Sequence, residues 1–445
     1  MLDHRHNPPR VNQCDNFSGC KSGGKGTARF FPITYFSFSL ARLEPFFKDM
    51  HSSPTTPAPY STFPGTEGLS TFNAGLSAAS PNAFDGRNIL LTGATGLIGG
   101  ELLKAIIERY NPNAIYTLAR GRHNATPESR VVTRLAHCTK SIPESLQVIE
   151  GELTTANCGL NPQVYKTICD TTEVILHCAA DTSFLDGAGV LEANIESVRN
   201  ILEMAKQCAK KPLFVYVSTA ANVGQVQSRT ICESDDAETE HHNEYTQSKG
   251  MAEALVRASG LPYLILRPSI VLSAGITDQT FAKSILWCAP LFTLFNALPM
   301  NADSRIDVIP VSYVTDSIIE LLNQPSLEHD CYYISAGAHN CTLAGEVVRL
   351  VKEFYAIDCP KALVHPDKWT GADYKQYVKN SDQRKAFFAL RYYFPFINMD
   401  VAYSNERLKQ QLKDRMPALP PLSSYLAPLL QQIPVSLSLA EAARP

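Results

Sequence analysis

The sequence predicts an α/β fold, a doubly wound parallel sheet joined to a smaller C-terminal lobe. Two observations carry that reading. From Arg87 to Tyr110 an apolar run, a glycine-rich turn and an amphipathic segment follow one another, as at the opening of a βαβ unit. From there to about residue 275, short apolar runs alternate with segments of helical spacing, the rhythm of a parallel sheet covered by helices on both faces. At 445 residues, 44% hydrophobic and 19% charged, the chain exceeds one typical domain and has ample material for a core. Its net charge of -3 suggests neither a nucleic-acid binder nor a polybasic membrane surface.

Residues 1–84 read as a tail of different character. Met50 to Ala83 is a run of Ser, Thr, Pro, Gly and Ala with almost no charge. Such a run cannot bury enough surface to offset chain entropy and is expected to be disordered. Phe30 to Phe47 is aromatic and apolar, but Pro32, Arg42 and Glu44 interrupt it, so it does not read as a membrane span. The polar start lacks the compact apolar core of a signal peptide. An uncleaved leader, a weak surface anchor and a true start at Met50 all remain open.

Residues 85–275 read as the nucleotide-binding Rossmann domain. Ile89, Leu90 and Leu91 form the apolar run of a strand buried on both faces, and Ile98, Leu102, Leu103, Ile106 and Ile107 recur at helical spacing until Asn111-Pro112 ends the pattern. Gly93, Gly96 and Gly99 lie between, each with a physical job: a tight turn, close backbone approach to a pyrophosphate, and close packing of helix on strand. The helix N-terminus then offers free N–H groups to the anion. Ala114 to Leu118 is a second strand ending in Ala119-Arg120-Gly121-Arg122, about 20 residues beyond Gly99. An NAD site would place an acid there; Arg120 suits a 2′-phosphate and favours NADP.

Leu146 to Ile149 is a third strand, closed by Glu150-Gly151-Glu152-Leu153, where a side chain can reach the adenine. Val174 to His177 is a fourth, followed by Cys178-Ala179-Ala180, small residues that let backbone pass close to a ligand. Asn194 to Ala205 has helical spacing, and Leu213 to Val217 is a fifth strand ending in Ser218-Thr219-Ala220. Next, Tyr245 and Lys249 fall four residues apart on one face of a helix that stops at Gly260. An ammonium near a phenol stabilises the phenolate and can bring the tyrosine toward a useful proton-transfer pKa, as a carbonyl reductase requires.

With these residues in place the chain resembles the extended short-chain dehydrogenase/reductase superfamily. The resemblance rests on Thr92-Gly93-Ala94-Thr95-Gly96-Leu97-Ile98-Gly99, His177-Cys178-Ala179-Ala180, Ser218-Thr219 with Gly224, Tyr245 with Lys249, and Arg267-Pro268-Ser269. It implies that Gly93, Thr95, Gly96, Leu97, Ile98 and Gly99 hold the pyrophosphate, and that Glu152, Leu153, Ala179 and Ala180 line the nucleotide. It also implies that Thr219 hydrogen-bonds the substrate carbonyl and Tyr245 donates the proton. Lys249 would hold the nicotinamide ribose, Asn194 would complete a relay through water, and Pro268 and Ser269 would touch the nicotinamide end.

Within the superfamily the chain is similar to the thioester reductases: fatty acyl-CoA reductases and the terminal reductase domains of carboxylic acid reductases and peptide synthetases. Ala179 to Phe184, Ser218-Thr219-Ala220 and Ile306 to Val314 carry that likeness, and Arg391 to Phe396 with Tyr403-Ser404-Asn405 and Leu408 carry it more loosely. Two departures stand out: Glu152 replaces the family's usual aspartate, and Ala221-Asn222 replaces an aromatic pair near the substrate.

Residues 276–445 are expected to form the substrate-binding lobe, with some strands and helices returning to the Rossmann domain. Cys331 to Ser335 reads as a strand and Leu343 to Phe354 as a helix. Ser284 to Met300 is the most apolar stretch, but Pro290, Asn296 and Pro299 break it, so a buried or lid segment over an acyl pocket is expected instead of a span. Adjacent His241 and His242 cannot converge on one ion, and no metal site is expected. Twelve cysteines without paired spacing suit buried thiols in a reducing compartment, the cytoplasm.

The leading expectation is an NADPH-dependent reductase of acyl-CoA or carrier-bound thioesters, giving an aldehyde and then in some cases an alcohol. No carrier-protein or adenylation domain is evident, so the thioester would arrive from another chain. The alternative is an extended short-chain reductase, dehydratase or epimerase acting on a sugar nucleotide or another small carbonyl or alcohol. A non-catalytic NADP-binding regulator is a third reading, against which Thr219, Tyr245 and Lys249 argue.

Overall fold

The computed structural model describes residues 83–122, 125–136, 138–184, 189–235, 240–273 and 284–433, together with 436, 438 and 442. The expected disorder of the tail therefore concerns residues that lie outside the described ones, except at its end. There the boundary moves. Ala83 and Phe84 belong to the folded body: Phe84 is fully buried, its ring edge-on to Tyr110 at 5.1 Å, and the Ala83 amide donates to Asn323 Oδ1 at 2.9 Å. One aromatic residue at the end of a low-complexity run has no periodicity to reveal it.

Seven parallel strands form the sheet: β1 (Asn88–Thr92), β2 (Ala114–Ala119), β3 (Leu146–Glu150), β4 (Val174–His177), β5 (Leu213–Val217), β6 (Tyr263–Pro268) and β7 (Cys331–Ile334). Their order is β7-β6-β5-β4-β1-β2-β3. The strand order reverses between β1 and β4, and that switch point opens a crevice at their carboxyl ends. The central strands read as unbroken apolar runs because both faces are covered; Ile89, Leu90, Leu91, Phe214 and Val215 are all fully buried.

The covering helices include α1 (Leu97–Arg109), α2 (Pro127–Arg134), α3 (Pro162–Thr171), α4 (Val190–Gln207), α5 (Glu244–Arg257) and α6 (Val311–Leu322). Their starts are written locally. Thr126 and Asn161 cap α2 and α3 ahead of a proline at the first helical position, and Asn243 caps α5 by accepting from the Thr246 amide at 2.9 Å. Helix α4 packs along α5, and α6 lies beside α1.

Strand β7 and helix α6 return from the C-terminal half to the main sheet and its core. Around them the remainder builds the lobe, with α7 (Ala344–Tyr355), α8 (Gly371–Tyr377), α9 (Ser381–Leu390) and α10 (Leu422–Leu430). Its core gathers Phe292, Phe295, Leu298, Trp369, Phe387 and Leu426. The apolar stretch Ser284 to Met300 is therefore mostly lobe core, broken into short elements at Ile285–Cys288, Ala289–Phe292 and Ala297–Pro299. No helix among the described residues is long and apolar enough to cross a membrane.

Candidate active site

The glycine turn is built as its spacing requires. Gly93 has φ +76°, and a Cβ there would lie 2.7 Å from the Ala179 amide nitrogen. Only glycine lets the ends of β1 and β4 come this close. A Cβ at Gly99 would run into the Gly93 carbonyl, so this residue seats α1 on the turn. Helix α1 starts at Gly96 without a side-chain cap or a first-turn acid, which leaves its N-terminus electropositive for a pyrophosphate. Thr92 ties the crevice together: its hydroxyl accepts from the Ala179 amide at 3.3 Å and bonds His177 Nδ1 at 2.9 Å. Burial, and then the charge of Lys249, push the His177 imidazole down to about 3, so the ring is neutral.

At the end of β2 the side chain of Arg120 is exposed and pairs with Glu152 at 3.4 Å. Arg130, on α2, reaches back between them and the glycine turn. It donates to the Arg120 carbonyl and, at 3.4 Å, to Thr95 Oγ1. Burial and then the neighbouring Arg122 and Arg120 charges lower the Arg130 pKa. Three guanidiniums thus crowd this corner around Glu152, which also accepts from the Thr154 hydroxyl at 2.9 Å. Glu152, expected to face the adenine, is half-exposed at the end of this corner and pairs with Arg120. Leu153 packs against the core between β2 and α4, and its carbonyl accepts from Asn200 at 2.9 Å.

At the catalytic end, Thr219 caps the short turn Ala220–Val223 after β5, its Oγ1 accepting from the Ala221 amide at 3.3 Å. Tyr245 and Lys249 sit one turn apart on α5, as their spacing predicts. The protein around the half-buried Tyr245 pushes its phenol up to about 12, opposed by a hydrogen bond with Thr219. Burial is the largest influence on this phenol here. Lys249, 3% exposed, donates from Nζ to the Val217 carbonyl at 2.7 Å, and lies 4.7 Å over the Tyr216 ring. Burial draws its pKa down to about 8, while Cys178 and Glu253 oppose the drop.

Asn194, expected to complete a relay through water, makes three direct hydrogen bonds. Its Oδ1 accepts from the Asp181 amide at 2.7 Å, and its Nδ2 donates to the Asp181 carbonyl at 2.9 Å and to Ser248 Oγ at 2.9 Å. Ser248 in turn donates to the Tyr245 carbonyl at 2.7 Å. Asn194 therefore clamps the segment after β4 onto the catalytic helix.

Beneath these residues runs a buried ion pair that the sequence reading missed. Arg267 donates from Nε and Nη2 to the two oxygens of Glu253 at 2.9 and 2.6 Å, and Asn222 donates to Glu253 Oε1 at 2.6 Å. Glu253 stands four residues after Lys249, so the helical spacing offered a signal; Arg130, whose partners are brought together only by the fold, offered none.

A cavity of about 260 Å³ joins these parts. Leu97, Ile98, Thr219, Tyr245, Pro268 and Ser269 line its nucleotide side, and Ile285, Trp287, Tyr393 and Phe396 its lobe side. Of the stretch Ser284 to Met300, only Ser284, Ile285 and Trp287 reach it. Asp307 lies at its wall, buried, accepting from the Ala336 amide at 2.8 Å and held above the usual carboxyl range by that burial. His241 and His242 are half-buried loop residues, and His242 meets the Phe396 ring edge-on at 5.0 Å.

Such a turn, switch point and Thr219–Tyr245–Lys249 set define a nicotinamide-dinucleotide-binding protein of the extended short-chain dehydrogenase/reductase class. Residues 91–318 match the family described as Male sterility protein, and the chain belongs to that family. Among curated relatives, it is 26% identical over 313 residues to fatty acyl-CoA reductase 1 of Xenopus laevis, covering 60% of this chain and 59% of that one. The chain spans little more than half the length of the fatty acyl-CoA reductases it matches, from 54% to 59%. The terminal R domain from the myxalamid PKS-NRPS biosynthetic pathway shares its fold at TM-score 0.64 and 22% identity, over 82% of this chain and 97% of that domain. A dTDP-glucose 4,6-dehydratase from Bacillus anthracis in complex with NAD shares it at TM-score 0.54 and 16% identity, over 78% of this chain and 96% of that one.

Proposed function

We propose that the protein is an NADPH-dependent reductase of acyl thioesters, carried by CoA or by a carrier protein. One observation carries the reading: the Thr219–Tyr245 pair opens on a cavity whose lobe side is mainly apolar, with Ile285, Trp287, Tyr393 and Phe396, while the polar Arg305 and Asp307 there are already bonded to Asp400 and the Ala336 amide. A sugar nucleotide would need polar partners along that wall, whereas an acyl chain needs apolar surface. Fold likeness to a sugar-nucleotide dehydratase does not weigh against this, since one fold hosts many chemistries.

The residues present suit the cofactor. The cradle at Gly93 and the acid-free start of α1 accept a pyrophosphate, and the guanidiniums of Arg120, Arg122 and Arg130 suit a 2′-phosphate dianion, which would relieve their mutual repulsion. Bound there, NADPH supplies the hydride. The chain's own residues handle the oxygen. Charge developing on the thioester oxygen is stabilised by the hydroxyls of Thr219 and Tyr245, and the high pKa of Tyr245 keeps it a proton donor at neutral pH. The resulting hemithioacetal expels thiolate and leaves an aldehyde. Lys249 acts on the ribose and on the local field, since its Nζ is already anchored on Val217.

The test is NADPH oxidation with thiol release, one thiol per aldehyde, across acyl-CoAs, carrier-bound acyl groups, simple aldehydes and sugar nucleotides. Tyr245→Phe should lower turnover about 100-fold or more with NADPH affinity retained. NADPH oxidation with sugar nucleotides but no thiol from any thioester would overturn the reading.

A further inference from the structure

The ring of Phe184 stands between the catalytic tyrosine and the lobe. It stacks on Tyr245 with centroids 5.7 Å apart and planes 28° from parallel, and on Tyr393 at 5.0 Å and 26°. Phe396 packs on it at 5.1 Å, and Trp287 meets Tyr393 edge-on at 5.8 Å. These are contact distances for aromatic pairs, with no room for a methylene between the rings. An acyl group whose carbonyl oxygen reaches the Tyr245 hydroxyl must bring its next carbons alongside Phe184, and the stacked rings stop it from running on toward the lobe core.

The position of this ring is fixed by the backbone before it. Asn194 holds both the amide and the carbonyl of Asp181, and Asp181 Oδ1 accepts from the Ser183 amide at 3.0 Å. Asn194 also bonds Ser248 on the catalytic helix, so the segment carrying Phe184 is tied to the element carrying Tyr245.

We propose that Phe184 is the specificity-determining end wall of the acyl pocket, setting the longest acyl chain the enzyme accepts, a role that rests on the thioester reading. Its ring contacts Tyr245 on one side and Tyr393 and Phe396 on the other, so it joins the chemistry to the lobe's aromatic wall. Each methylene that finds apolar surface adds about fourfold to kcat/KM, and each that meets the wall loses that gain. Truncating the ring should extend the rising part of the length profile.

The experiment measures kcat/KM of wild type, Phe184→Leu, Phe184→Ala and Phe396→Ala on two series of straight chains from two to sixteen carbons, acyl-CoAs and n-alkanals, with NADPH dissociation constants measured separately. Phe184→Ala should move the optimum up by about two carbons or more and raise kcat/KM beyond the wild-type optimum about tenfold relative to shorter chains. Phe184→Leu and Phe396→Ala should move it less, with NADPH affinity within about twofold throughout. An unshifted optimum in a folded Phe184→Ala, or in Phe184→Leu and Phe396→Ala together should that variant not fold, overturns the proposal while leaving the thioester reading intact. Turnover of alkanals without thiol release from any thioester sinks the thioester reading, and the alkanal series then decides the wall alone. No turnover of either series by wild type overturns both.

Discussion

The buried Glu253–Arg267 pair offers the sharpest test of how the site is held. Both side chains are within 9% of full burial, and the pair is bidentate, with Asn222 on one carboxylate oxygen and the Tyr333 hydroxyl 3.3 Å from Arg267 Nη1. Burial raises the Glu253 pKa, but the Arg267 guanidinium outweighs it and holds the carboxyl below its ordinary range. Glu253→Ala leaves the guanidinium buried and unpaired, which costs about 3–5 kcal/mol. At ~2–4 °C per kcal/mol that is a fall of about 6–20 °C in Tm. Because the folded pKa is depressed, the pair's contribution is present above the carboxylate range and is lost only as pH falls through it. Glu253→Met with Arg267→Met removes both charges and should recover most of the loss, since a packed apolar pair can replace an ion pair at little cost. Denaturant unfolding of the two single variants and the double variant measures this directly. A Glu253→Ala midpoint equal to wild type, or a double variant less stable than either single one, would refute the reasoning.

The cofactor corner predicts that Arg130→Ala and Arg120→Ala each weaken NADPH binding by about 1.5–3 kcal/mol and barely affect NADH; equal losses for both nucleotides would remove the 2′-phosphate argument. Lys249, drawn down to about 8, should lose its ammonium and with it activity as pH rises through about 8, and a kcat/KM profile flat well beyond that point would contradict a charged role. The fold itself should respond the opposite way, gaining stability between about 8 and the lysine's ordinary 10.5, because burial penalises the protonated form. A chain beginning at Ala83 should melt well above one beginning at Asp85, and Phe84→Ala alone should cost about 3–5 kcal/mol; indistinguishable midpoints would remove Phe84 from the core.

What the sequence revealed and what it hid follow one physical line. Gly93 and Gly99 were legible because a Cβ has no room at either, against the Ala179 backbone at the first and the Gly93 carbonyl at the second. Six of the seven strands were legible as apolar runs and some C-terminal strands were expected to return to the main sheet, but that Cys331–Ile334 joins beside β6 was not legible, since nothing local states which edge a strand joins. Spacing placed Tyr245 and Lys249 on one helix face, yet it could not say that the ammonium would turn to the Val217 carbonyl. Arg130 and Phe184 were the least legible, because their partners Thr95 and Tyr393 come from distant parts of the chain.

These contacts divide the labour of the site. The nucleotide end is shaped by backbone, where a Cβ at Gly93 or Gly99 has no space, and the catalytic helix is fixed by Glu253–Arg267 and by the Asn194 clamp. The lobe side of the cavity draws on side chains from separate segments: Phe184 after β4, Trp287 from the apolar stretch, Tyr393 and Phe396 after α9. Side chains can be exchanged without moving the sheet, so on the proposed thioester reading the lining of this cavity can vary while Thr219 and Tyr245 keep their places. The lobe core of Phe295, Trp369 and Phe387 supports that lining from behind, for Phe387 stacks on Trp369 at 6.1 Å and meets Phe394, the residue after Tyr393, at 5.4 Å.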